Sequence, residues 1–191
     1  MSRRFLFFAL VGAVAAVAAV TATSGSAHTS TSSVTALPSS SCGPLVYKGT
    51  GKPDFIIPSD LPLQGAIRKQ TVEISQAMVW ALAHAGWRAG KYKIAYQSCD
   101  DSTAQTGGWD TAKCATNAAL YKNDTSVIGV LGTFNSGCAK IEIPILNRAA
   151  GGAIAMVSPS NTYPGLTVGG PGTSKGEPGI YYPTRDRKSV V

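Results

Sequence analysis

The sequence has 191 residues, 44% hydrophobic and 14% charged, and 17 Lys and Arg against 10 Asp and Glu give a net charge of +7. That balance belongs to a globular chain rather than a disordered or fibrous one. The basic residues are spread out, without the aromatic-interleaved Lys/Arg clusters of a nucleic-acid surface, so no nucleic-acid partner is expected.

The chain opens with MSRR and an apolar run, FLFFALVGAVAAVAAV, followed by small residues up to Ala27. A basic start, an apolar stretch shorter than the ~20 residues of a spanning helix and a small-residue cleavage region define a signal peptide over 1–27. The expected location is therefore extracytoplasmic, in the periplasm or at the cell surface. Residues 28–52 read as a Ser/Thr-rich tether and the start of the mature region. Cys42 is not placed as a lipidated cysteine, because Ser39-Ser40-Ser41 precede it and the apolar run lies far upstream. In an oxidising compartment the four cysteines, Cys42, Cys99, Cys114 and Cys138, form two disulfides, with three connectivities open. Cys99 and Cys114 flank one polar loop, and closing it would stabilise the fold by about 3 kcal/mol. The expected pairs are Cys99–Cys114 and, with less to support it, Cys42–Cys138.

The first strand is read over Asp54–Pro58, followed by a loop containing Pro62, Gln64 and Gly65. Apolar residues at Ile67, Ile74, Met78, Leu82 and Ala85 have helical spacing, and Gly86 and Gly90 mark the stop. KYKIAYQS is a second strand, and CDDSTAQTGGWDTAKC is a polar loop in which Asp110 caps a helix reaching about Tyr121. SVIGVLG is a third strand. CAKIEIPILNRA is a short helix that Pro144 should kink or start late. GGAIAMV is a fourth strand, and the Gly/Pro-rich remainder carries no strong element.

This β-α-β-α-β-α-β order predicts an α/β fold, a doubly wound parallel sheet with helices on both faces. Ligands of such sheets gather beyond the carboxyl ends of the strands. Two segments expected there, GTFNSG after the third strand and SPSNT after the fourth, are uncharged and rich in hydroxyls and amides. That composition suits a small zwitterion or carboxylate held by hydroxyls and helix N-terminal N–H groups. Each has an ordinary reading too, since Ser136 is a fair helix cap and Ser-Pro with Asn is a fair turn.

Other motifs are set aside. VGGPGTSKG lacks the phosphate-loop spacing, and GTFNSG lacks the glycine two residues before Ser136 that a nucleophile elbow needs. His84 falls within a helix, so no base is placed, and no enzyme, cofactor or metal site is expected. Asp100 and Asp101 read as solvated or capping residues rather than calcium ligands. Asn123-Asp124-Thr125 matches a glycosylation sequon.

At SDLPLQG, AYQSCDD, VIGVLGTFNSGCAKIEIPILNRA and AMVSPSNTYPGLT the sequence resembles the substrate-binding proteins of branched-chain amino acid ABC transporters, which have the type I periplasmic-binding-protein fold. The resemblance runs from about Pro53 to Thr184. It implies that residues 53–184 are a Rossmann-like N-terminal lobe, with 185–191 a poorly matching tail. It also implies that Ser136 meets a ligand carboxylate, that Ser160 gives a backbone contact and that Thr162 bonds both the carboxylate and the ammonium. Asn135 and Asn161 lie in the same two loops, and Gln64 lies in the loop beside the ligand side chain. The implied partners are an amino acid and a membrane permease. The family has two lobes and about twice this length, so the second lobe is expected to be missing and the chain to be a fragment. A ligand-sensing module of a receptor or regulator is the alternative use of the same fold.

Overall fold

The structure is a computed structural model, and it describes residues 34–182. The expected signal peptide and the tail 185–191 lie outside the described residues.

β-branched and aromatic residues build a sheet of six strands: β1 (Cys42–Val46), β2 (Phe55–Leu61), β3 (Arg88–Ala89), β4 (Tyr92–Asp100), β7 (Gly129–Gly132) and β8 (Ala155–Val157). A separate hairpin, β5 (Ser102–Thr103) with β6 (Gly108–Trp109), projects after β4. Among the described residues three α-helices, α1 (Arg68–His84), α2 (Thr111–Asn123) and α3 (Ser136–Leu146), and two short 3-10 helices, Pro164–Leu166 and Gly179–Tyr181, complete the fold. The order across the sheet is β1-β4-β2-β7-β8, with β2, β4, β7 and β8 parallel, β1 antiparallel to β4, and β3 paired antiparallel on β4. The α/β fold with a mainly parallel sheet is therefore as expected.

Several expectations on the strands need correction. β2 does not stop at Pro58 but runs to Leu61, so Ser59 and Asp60 are strand residues. Proline in a central strand removes a ladder donor, and the β2–β7 pairing is interrupted at that point. It holds at the Ile56–Val127 bridge and resumes at Ser59–Leu131. β4 likewise extends to Asp100. Helix α3 does not start late; it begins at Ser136, passes Pro144 and ends at Leu146. A proline this near the carboxyl end removes only one of the last intrahelical bonds.

Part of the stretch read as a tether is docked on the sheet. Leu37 is buried, its N–H donates to Gln97 Oε1 at 2.8 Å, and Gln97 Nε2 donates back to its carbonyl at 3.0 Å. The following segment becomes the edge strand β1, which the sequence reading did not contain.

That strand changes the disulfides. The expected Cys99–Cys114 and Cys42–Cys138 pairs are not formed. Cys42 faces Cys99 across β1 and β4 and bonds to it, with the Cα atoms 3.9 Å apart. Cys114, in the first turn of α2, bonds to Cys138, in the first turn of α3, with Cα atoms 5.6 Å apart. The loop after β4 instead returns through the β5–β6 hairpin, and α2 turns Cys114 toward α3.

The core lies between the sheet and the α2/α3 layer. Ile56, Ala95, Val127, Val130 and Met156 of the sheet meet Ala118, Tyr121, Ala139, Ile143 and Leu146 of the helices, all buried. On the other face α1 buries only Thr71 and Ser75 of its own residues.

Candidate functional site

β4 lies to one side of β2, and β7 and β8 lie to the other. The chain thus reverses direction across the sheet between β2 and β7, and in this topology a crevice opens beyond their carboxyl ends. The loop 133–135 after β7 and the loop 158–163 after β8 lie on that edge.

The β8 loop is shaped by Ser158. Its hydroxyl donates to the Thr133 carbonyl at 2.7 Å and accepts the Ser160 and Asn161 N–H groups at 3.1 and 2.8 Å. It therefore folds its own loop and fixes that loop to the β7 loop. Thr133 donates through its hydroxyl to the Asn135 carbonyl at 2.8 Å.

Ser136 supplies the second link. Its Oγ accepts the N–H groups of Thr162 at 3.1 Å and of Tyr163 at 3.2 Å. A hydroxyl has two acceptor sites and one proton. Both acceptor sites are taken here, which leaves the proton for an acceptor outside the loop. Ser136 does not cap its own helix. Asn135 is the N-cap of α3 and makes no side-chain cap bond, while the Cys138 and Ala139 N–H groups go to its carbonyl. The Ser136 and Gly137 N–H groups open the helix and have no acceptor within it.

Around this point sit amides with no protein partner: Asn135 Oδ1 and both polar atoms of the Asn161 carboxamide. Thr162 is exposed. Of the six expected residues, Asn135, Ser160, Asn161 and Thr162 thus lie in the two loops, and Ser136, at the start of α3, hydrogen-bonds to the second of them. Gln64 is engaged elsewhere. Its Nε2 donates to Asp100 Oδ2 at 2.8 Å and to the Ser102 carbonyl at 3.2 Å, which holds it against the end of β4. A Cβ on Gly65, whose φ is +76°, would collide with the Gly107 carbonyl, so glycine lets this loop close on the hairpin.

Three contributors were not found in the sequence reading. Ser158 was read only as a member of the SPSNT segment and not singled out, although a serine two and three residues before Ser160 and Asn161 is a recognisable local signal. Trp109, from β6, lies against α3 so closely that a Cβ on Gly137 would meet its ring. No local pattern in GGWD indicates that contact. The third is Glu177, in the Gly/Pro-rich segment read as carrying no strong element. It accepts from Tyr163 Oη at 2.5 Å, from Tyr181 Oη and from the Ser174 N–H at 2.7 Å, and pairs with Lys140 Nζ at 3.2 Å. Lys140 Nζ also stands 3.7 Å from the centre of the Tyr163 ring. Burial pushes the Glu177 carboxyl upward, but the bonds from Tyr163, Tyr181, Ser174 and Lys140 outweigh it and bring the group down to about 2. The same carboxylate, after burial, holds the Tyr181 hydroxyl up at about 12.

Asp100 acts as a capping residue, as expected, and Asp101 differs from expectation. Asp100 accepts from the Leu63 and Ser102 N–H groups, both at 2.9 Å. Asp101 is fully buried rather than solvated.

No protein-family model matches the sequence, and no curated protein is similar to it. Among solved structures, the chain is similar to the leucine-binding protein LivK of Thermotoga maritima, at 18% identity and a TM-score of 0.48 over 60% of this chain. It is similar to the branched-chain amino acid transporter substrate-binding protein LivJ of Streptococcus pneumoniae in complex with isoleucine, at 22% identity and a TM-score of 0.47 over 59% of this chain. It is also similar to an ABC transporter substrate-binding protein of Desulfitobacterium hafniense in complex with Leu, at 19% identity and a TM-score of 0.44 over 59% of this chain. In each case the match spans 30% of the solved chain.

Proposed function

We propose that this chain is a ligand-contacting lobe of an extracytoplasmic solute-binding protein, which presents an amino acid of the branched-chain class to an ABC permease. The observation that carries the reading is the Ser136 link between the two loops. It leaves a hydroxyl proton, the first N–H groups of α3 and the exposed Thr162 on one edge of the sheet. Donors at a helix start suit a carboxylate, and hydroxyl oxygens suit an ammonium. This edge offers hydrogen bonding without an activated nucleophile, and the reading is therefore binding rather than catalysis.

An open edge touches its ligand from one side. Hydrogen bonds exposed to water contribute little net free energy, so affinity for the isolated chain is expected at about 1 mM or weaker. The test is a titration of isotope-labelled protein with L-leucine, followed by amide shifts. Saturable shifts at Ser136, Gly137 and Thr162, smaller in Thr162→Val and absent with an uncharged diol of similar size, are expected. Unchanged amide positions at these residues up to tens of millimolar leucine would remove the reading.

A further inference from the structure

Beneath the crevice, on the α2/α3 face, lies a set of acidic and polar groups that the ligand edge does not use. Asp60 stands at the end of the central strand β2, Glu142 on α3, and Asn117 and Tyr121 on α2, and all four are 0% exposed. Carboxylate oxygens of Asp60 and Glu142 lie within 4.8 Å of each other and of Cys138 Sγ. Among the described residues, the N–H group that reaches these carboxylates is Asn117 Nδ2, at 2.9 Å from Asp60 Oδ1, and the Tyr121 hydroxyl and the Glu142 carboxyl lie beside Asp60 as well. Glu142 Oε1 is 3.3 Å from Cys138 Sγ, but that sulfur is in a disulfide and has no proton to give. Asp60 Oδ2, Glu142 Oε2, Asn117 Oδ1 and the Tyr121 hydroxyl have no hydrogen-bond partner.

Such a group is unusual for its surplus of acceptors. Buried polar atoms are nearly always paired, and a buried carboxylate without a counter-charge is costly. Four oxygens from three elements, two of them carboxylates, lack what a cation supplies. Tyr121 and Asn117 make the case independent of the acidic pair, because their unpaired oxygens belong to neutral side chains within the same cluster.

We propose that Asp60, Glu142, Asn117 Oδ1 and the Tyr121 hydroxyl form a buried site for one hard divalent cation, of the calcium class. An all-oxygen set excludes the thiophilic metals, since both nearby sulfurs are tied up in the Cys114–Cys138 disulfide. Magnesium retains several waters and demands octahedral geometry, whereas calcium accepts irregular oxygen sets. One divalent ion matches the two carboxylates in charge. It would join β2, α2 and α3 directly below the loops that carry Asn135 and Ser136. Burial drives the Asp60 and Glu142 carboxyls upward. Neighbouring Asp101, also buried, is pushed to about 9 by burial and by Asp60 and Asp100. Protons are thus the competing occupants, and the experiment separates the two.

The test uses the full chain with disulfides intact, stripped with a chelator and titrated with calcium at pH 7.5. One ion per chain by calorimetry and a thermal midpoint several degrees higher in excess calcium are expected. Terbium, as a calcium stand-in, should show emission sensitised by tyrosine that falls severalfold in Tyr121→Phe. Glu142→Gln should weaken calcium binding at least tenfold, while Asp124→Asn, at the end of α2, should leave it unchanged. If Glu142→Gln does not fold, the Tyr121→Phe emission and the wild-type stoichiometry decide. A wild-type midpoint indifferent to millimolar calcium, but rising steadily as pH falls from 8 to 5, would overturn the proposal in favour of shared protons. Calcium binding that persists in Tyr121→Phe with unchanged terbium emission would also overturn it, by placing the ion elsewhere.

Discussion

The two faces of the sheet are built differently. Under α2 and α3 the contact is apolar: Ala118, Ala139, Ile143 and Leu146 are fully buried against Ile56, Val130 and Met156. On the α1 side Leu61, Ile94 and Tyr96 are buried outside that cluster, and several of the contacts are made by hydroxyls. Thr71 donates to the Pro62 carbonyl at 2.5 Å, Ser75 lies 3.5 Å from Ser98, and Tyr96 Oη lies 2.6 Å from Ser59 Oγ. An open groove of about 340 Å³, lined by Pro44, Val46, Val72 and Val79 among others, remains beside α1. The helix ends differ in the same sense. Asp110 caps α2 by accepting the Ala112 and Lys113 N–H groups at 2.9 and 3.0 Å, whereas α1 starts at Ile67 with no side-chain cap. The larger apolar cluster thus lies on the α2/α3 face, while α1 buries only Thr71 and Ser75 of its own residues. The candidate ligand edge is anchored to the α2/α3 face, because α3 carries Ser136.

The largest effect that can break this comparison is in the core. Leu146→Ala should cost about 2–5 kcal/mol, as expected for a buried leucine replaced by a cavity. Leu82→Ala, on half-buried α1, should cost about 1 kcal/mol or less. Urea denaturation of both variants checks the ratio, and equal losses would mean that α1 bears as much of the fold as α3.

The cap is a smaller perturbation. Asp110→Ala should cost about 1 kcal/mol, again read by denaturant midpoint. Hydrogen exchange sharpens the point, since α1 amides should open at lower free energy than α2 amides in the wild type, and Asp110→Ala should narrow the difference.

The smallest effect is a pH dependence in the segment behind the ligand loop. The folded Glu177 carboxyl sits at about 2, below its ordinary 4.5. A depressed carboxyl contributes stability above its unfolded value and loses it as pH falls through the folded one. The groups that face it are Lys140, Tyr163 and Tyr181. Stability should therefore decline between pH 4.5 and 2, and Glu177→Gln should flatten that part of the wild-type curve. Acid titration of the thermal midpoint for the two proteins tests it, and parallel curves would show that the Glu177 bonds do not matter.

Local signals determined much of this protein. Alternating apolar and amphipathic segments specified a parallel α/β sheet, because burial on both faces of a strand needs continuous apolar runs. Asp110 was legible as a cap, since a cap acts on N–H groups only two and three residues away. GTFNSG and SPSNT stood out as polar segments interrupting an apolar pattern. What the sequence could not specify depends on contacts between residues far apart in the chain. Cys42 meets Cys99 only because an unpredicted edge strand pairs with β4. Gln64 turns to Asp100, away from Ser136, because the β5–β6 hairpin presents Ser102 to it. Asp60, Asp101 and Glu142 look like surface residues in a one-dimensional reading, for charged side chains usually are. The sheet and two helices enclose them, and only that enclosure makes their missing partners visible.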